Sequence, residues 1–175
     1  YEINSLMELL VSALSKEIND LNKNKVQLTT IGDIKSLPSK CRNELQRAMS
    51  ITKQNDKLIL ILALSYSSRW EIVSAIKRIV QKTREGLLTP EDITADLVSA
   101  HLATAGIPDP ELMIRTSGEY RLSNFLLWQM AYTELYFTDV LWPDIRKGHI
   151  IDAISEFQKR ERRFGKTTGQ IRNKN

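Results

Sequence analysis

Residues Leu58-Ile59-Leu60-Ile61-Leu62-Ala63-Leu64 are apolar at every position. A half-buried strand alternates, and an amphipathic helix repeats every third or fourth residue. A run with neither period predicts a strand buried on both faces, as in a parallel sheet. Parallel strands need crossovers, usually helical, and the flanking sequence supplies them. Apolar residues at Ile3, Leu6, Leu9, Leu10, Ala13, Leu14, Ile18 and Leu21 give a helical period that Asn22 and Asn24 end, and Val26–Ile31 then alternates as a strand into the Gly32-Asp33 turn. Ser36-Leu37-Pro38 starts a helix to about residue 53, and Ser67-Ser68-Arg69 leads into another over 70–85, closed by Gly86.

Short helical pieces follow from Thr89-Pro90-Glu91-Asp92 and Thr94-Ala95-Asp96. The remaining pattern predicts strands over 112–114 and 135–137 and helices over 123–132 and 148–164. Strands alternating with helices imply an α/β fold, with about four strands in a mostly parallel central sheet and helices on both faces. The length suits one domain over residues 1–175.

Composition excludes several classes. Hydrophobic content of 42% and charged content of 26% are those of a globular chain, and no apolar run approaches the roughly 20 residues of a membrane helix. The net charge of +4 is concentrated after residue 158, in Lys159, Arg160, Arg162, Arg163, Lys166, Arg172 and Lys174. A solvated helix end or contact with anionic lipid explains it. The basic residues do not alternate with stacking aromatics, so nucleic acid is not an expected partner. Cys41 is the single cysteine and reads as a buried thiol in a reducing compartment. His101 and His149 lack metal-ligand spacing, and neither a Walker loop nor a dinucleotide fingerprint occurs.

The chemistry concentrates in Ile114-Arg115-Thr116-Ser117-Gly118-Glu119-Tyr120-Arg121-Leu122-Ser123-Asn124. A strand ends in arginine, a glycine loop follows, and Ser123 is placed to cap the next helix. Free N–H groups at such a rim favour an anion, and guanidinium forks match phosphate oxygens. Spacing alone leaves open a second reading, in which Arg115 and Arg121 are solvated or paired with Glu119 or Asp109.

That run, with Asn124-Phe125-Leu126-Leu127-Trp128-Gln129 and Leu141-Trp142-Pro143-Asp144, closely resembles the cis-prenyltransferases, and in particular their bacterial members that make undecaprenyl diphosphate. The resemblance extends from about residue 2 to residue 165. It implies sequential condensation of isopentenyl diphosphate onto farnesyl diphosphate, giving a long polyprenyl diphosphate that serves cell-wall synthesis as a lipid carrier. It also implies Mg²⁺, a homodimer and a cytoplasmic enzyme with peripheral membrane contact. Arg115, Arg121, Leu122 and Ser123 fall on positions that bind the diphosphate of isopentenyl diphosphate, and Glu134 on a magnesium ligand. Leu58 and Leu60 match the product tunnel, although their pattern by itself says core strand. Arg163 and Gly165 match an Arg-x-Gly motif that reaches the partner subunit's diphosphate site, and glycine capping a helix end also explains them. Glu119, Asp144, Trp128 and Trp142 are read as structural.

The family's catalytic aspartate lies in a His-x-x-Met-Asp-Gly-Asn-Gly-Arg segment that does not occur here, so no catalytic residue is assigned. The chain is read as the carboxyl-terminal two-thirds of such an enzyme, inactive by itself. The alternative is a noncatalytic subunit supporting a catalytic partner. Two positions depart from the family. Ser65-Tyr66-Ser67-Ser68-Arg69 stands where Asn-Tyr-Gly-Gly-Arg is common, making positive φ less accessible. Tyr120 stands where histidine is common.

Overall fold

The computed structural model describes residues 2–160. The described residues form two compact units, one up to residue 106 and one from residue 107. In the first, helix α1 (Glu2–Lys23) leads to strand β1 (Val26–Ile31), helix α2 (Ser39–Thr52), strand β2 (Leu58–Ala63), helix α3 (Ser68–Arg84) and the short helix α4 (Ala95–Ser99). In the second, strands β3 (Leu112–Arg115) and β4 (Glu134–Phe137) precede helix α5 (Lys147–Lys159). Both strand pairs are parallel: Val26 lies opposite Leu58 in one, and Leu112 opposite Glu134 in the other. The class is therefore α/β with parallel strands, as the alternating pattern predicts; α2 connects β1 to β2, whereas no helix lies between β3 and β4. The strands form one two-stranded sheet in each unit.

The core of the first unit is Leu14, Ile18, Leu28, Leu37, Cys41, Leu45 and Ala48, where α1 and α2 pack on β1. Thr52 ties helix to strand: its hydroxyl accepts from Leu28 N at 3.0 Å and donates to the Ala48 carbonyl at 2.9 Å. Burial pushes the Cys41 thiol above its ordinary range, so it is the inert buried thiol expected. Gly32 is obligatory. Its φ is +113°, and an added Cβ would lie 2.0 Å from the Leu64 carbonyl oxygen.

The expectation of a doubly buried strand over 58–64 fails: no residue of β2 is fully buried, and only Ile61 and Leu62 are half-buried. Leu58, Ile59 and Leu60 are 60%, 57% and 38% exposed. Among the described residues α1 and α2 cover β1, whereas β2 has β1 as its one sheet neighbour. The apolar run is genuine: Leu62 and Leu64 pack on the core, but nothing described covers Leu58–Leu60. The same holds for the Trp70, Val73, Ile76 and Val80 stripe of α3.

Neither Ser67 nor Ser68, at the positions where glycine is common, adopts a positive φ. Ser67 is extended (φ −149°) and its hydroxyl caps α3 by accepting from Trp70 N. The left-handed residue is Ser65, at φ 46°. The helix then ends at Gly86 as predicted, with φ +72° and Leu87 N donating to the Lys82 carbonyl at 2.9 Å. Glu71, buried early in α3, accepts from the Tyr66 hydroxyl and, at 2.9 Å, from Ala103 N. No helix of the described residues is long and apolar enough to cross a membrane.

Candidate diphosphate-binding site

Strand β3 delivers Arg115 to its carboxyl end, and the following loop is held against the chain leaving β4. Thr138 N donates to the Arg115 carbonyl (2.9 Å), Ser117 N to Val140 (2.9 Å) and Gly118 N to Thr138 (3.1 Å). Ser117 and Gly118 are both left-handed, at φ 67° and 64°. An added Cβ at Gly118 would sit 3.1 Å from Asp139 Oδ1, so the left-handed conformation favours glycine and a side chain there would crowd Asp139. The Tyr120 ring lies against Phe137, with centroids 5.2 Å apart.

The loop brings Arg115, Arg121 and Leu122 to one cavity of about 140 Å³, closed by Met113, Ile114, Phe125 and Met130. That is smaller than the several hundred Å³ of an ordinary ligand pocket, so it suits a small head group better than a whole prenyl substrate. Arg115 Nη2 donates to Ser123 Oγ across a long 3.4 Å. Arg115 Nε is enclosed and has no hydrogen-bond partner. A buried orphan guanidinium N–H is costly unless a ligand satisfies it. Arg121 is ion-paired with Glu119 and is 69% exposed, so the carboxylate reading holds for this arginine and not for Arg115.

The helix predicted over 123–132 is absent, and Ser123 is not a helix cap. Ser123, Asn124 and Leu126 adopt φ of 51°, 61° and 46°, giving a chain of turns. A helix this short is stabilised mainly by packing its apolar face. Phe125, Leu127 and Trp128 remain partly exposed, so that packing is not supplied. The candidate anion site is thus made of side chains on a left-handed loop, not of a helix terminus. Trp142, expected to pack, is also exposed. Asp144 is exposed too, and its turn is held instead by Arg146 Nη1, which donates to the Pro143 and Ile145 carbonyls at 2.8 Å.

Glu134 opens β4 opposite Leu112, three residues down the register from the Arg115–Phe137 pair. That is roughly 10 Å along the strands. Its Oε2 accepts from Arg160 Nη1 at 3.0 Å, and the same nitrogen donates to the Leu135 carbonyl at 2.9 Å. Arg160 carried no signal in the sequence beyond being one of several tail cations. No group of three potential metal ligands occurs among the described residues. Mg²⁺ takes one or two protein carboxylates and completes its shell with phosphate oxygens and water. A partly exposed Glu134 with Oε1 outside the Arg160 bond fits as one such donor. Leu58 and Leu60 lie in the first unit, and Arg163 and Gly165 lie outside the described residues.

Comparison with known proteins gives the class. The chain belongs to the cis-prenyltransferase family described as "Putative undecaprenyl diphosphate synthase", whose model matches residues 1–165. An isoprenyl transferase of Porphyromonas gingivalis is 55% identical over 170 residues, covering 97% of this chain and 67% of that protein. A ditrans,polycis-undecaprenyl-diphosphate synthase of Coxiella burnetii, (2E,6E)-farnesyl-diphosphate specific, is 45% identical over 170 residues, covering 97% of this chain and 72% of that protein. The chain spans about two thirds of the length of the curated relatives it matches. Among solved structures, lavandulyl diphosphate synthase from Lavandula x intermedia, in complex with dimethylallyl diphosphate, superposes with a TM-score of 0.91 at 36% identity. The match covers 94% of this chain and 72% of that one.

Proposed function

We propose that the complete protein is a magnesium-dependent cis-prenyltransferase. It adds isopentenyl diphosphate units to farnesyl diphosphate and makes a long polyprenyl diphosphate, undecaprenyl diphosphate, as the carrier lipid precursor for cell-wall synthesis. Family membership and the relatives' names support the reaction class. The observation that carries the site assignment is the enclosed, unpartnered Nε of Arg115. Arg115, Arg121, Leu122 and Ser123 hold the diphosphate of isopentenyl diphosphate. The long Arg115–Ser123 bond is readily exchanged for phosphate oxygens, and Arg121 turns from Glu119 to the same anion. Fixing that head aims the homoallylic double bond at the first carbon of the allylic diphosphate, which supplies positioning rather than covalent catalysis.

Glu134 contributes a carboxylate to Mg²⁺, which when bound helps neutralise the departing pyrophosphate. Leu58 and Leu60 line the product tunnel, a role their apolar exposure suits. Arg163 and Gly165 serve the diphosphate site of a second copy in a homodimer. The basic residues after 158 bring a cytoplasmic enzyme to anionic lipid. The residues described here form the larger part of a single catalytic domain whose catalytic aspartate lies elsewhere in the complete protein.

The test is product analysis. The complete protein, supplied with radiolabelled isopentenyl diphosphate, farnesyl diphosphate and Mg²⁺, should yield a polyprenyl ladder ending near eleven isoprene units, the length that undecaprenyl denotes. The 175-residue chain by itself should yield none. A complete protein that elongates only with an added second subunit would contradict this reading.

A further inference from the structure

We infer that Arg160 is a positioning residue that governs access of a divalent cation to Glu134. The inference rests on the reading of Glu134 as a metal carboxylate. Arg160 ends α5, and its Nη1 is shared between Glu134 Oε2 at 3.0 Å and the Leu135 carbonyl at 2.9 Å. Both side chains are about two-thirds enclosed, at 31% and 28% exposure, so the pair is only partly screened by water. Guanidinium is permanently charged. A cation approaching Glu134 therefore meets a fixed positive charge already bonded to its ligand.

The arginine also has somewhere to go. Its Nε lies 4.0 Å from Glu156 Oε1, one helical turn earlier on α5. That distance is beyond hydrogen-bond reach but within reach of a small rotamer change. Arg160 thus has two carboxylate partners, one on the strand and one on its own helix. Cation binding at Glu134 shifts Arg160 to Glu156 and loosens the last turn of α5 from β4.

The experiment uses the complete protein and Mn²⁺ alone as probe, with free Mn²⁺ counted by electron paramagnetic resonance. Arg160→Gln should tighten Mn²⁺ binding by about fivefold, the change a partly exposed ion pair supports. Arg160→Lys, which keeps the charge, should stay near wild type, and Glu156→Gln, which removes the alternative partner, should weaken binding. Glu134→Gln should abolish it. In parallel, Mg²⁺ should speed amide hydrogen exchange over residues 155–160 in the wild type and not in Arg160→Gln. Unchanged binding in Glu134→Gln would reject the metal-carboxylate reading itself. Loss of binding in Glu134→Gln, with wild-type affinity in both Arg160→Gln and Glu156→Gln, would keep that reading and overturn the role of Arg160. A Mg²⁺-insensitive helix end would overturn it as well.

Discussion

Arg115 and Ser123 stand eight residues apart in sequence, yet the guanidinium Nη2 reaches the serine hydroxyl at 3.4 Å. The loop between them doubles back through left-handed residues at Ser117, Gly118 and Ser123. This geometry leaves Arg115 Nε enclosed and unpartnered while giving Nη2 only a weak bond. A guanidinium under-committed in this way keeps donors available, which is what the proposed diphosphate role requires.

Ser123 separates a conformational role from a chemical one. At φ 51° a side chain costs roughly 1 kcal/mol that glycine avoids. Ser123→Gly should therefore hold or raise the thermal midpoint while weakening isopentenyl diphosphate binding severalfold. Thermal unfolding alongside substrate titration checks both, and a loss of stability with unchanged binding would remove Ser123 from the site.

Gly32 should tolerate no side chain. With φ +113° and a prospective Cβ 2.0 Å from the Leu64 carbonyl, Gly32→Ala must displace backbone. We expect a loss of about 3 kcal/mol or more, at the severe end for single substitutions. Urea denaturation measures it. Gly106→Ala, at φ +80° with nothing within 4 Å, should cost only the backbone strain and serves as the control.

Glu44 gives a pH-dependent contribution of known sign. A hydrogen bond from Arg47, and then one from Ser15, hold its carboxyl below the ordinary range. A depressed folded-state pKa stabilises above the unfolded value, roughly 4.3, and that contribution is lost as pH falls through the folded value. Wild type and Glu44→Gln should thus differ in urea midpoint near neutral pH and converge in acid. Because the pair is at the surface the difference should be small. A gap that widens below pH 4 would reverse the assigned sign.

The elements were legible where local chemistry decides them. Val26–Ile31 as a strand, Ser67 and Gly86 at the ends of α3, and the short helical piece after Thr89 follow from capping and periodicity, and all are present in the fold. Burial was not legible, because it depends on what lies opposite. Leu58 to Leu60 and Trp142 have the composition of core and no described neighbour to cover them. The helix over 123–132 failed for the same reason, since its apolar face lacks packing. At the candidate site, residue identity singles out Arg115, Arg121 and Ser123 for test, whereas the Arg160–Glu134 pair joins residues 26 apart and left no local signal.

Arg115→Ala in the complete protein tests the central assignment most directly, through separate Michaelis constants for the two substrates. Loss of a charged hydrogen bond to phosphate costs roughly 1.5–3 kcal/mol, about 10- to 150-fold in affinity. The account predicts a rise of that size for isopentenyl diphosphate and little change for farnesyl diphosphate, with the thermal midpoint preserved. Equal increases for both substrates, or a rise confined to farnesyl diphosphate, would contradict the placement of the isopentenyl diphosphate head at Arg115.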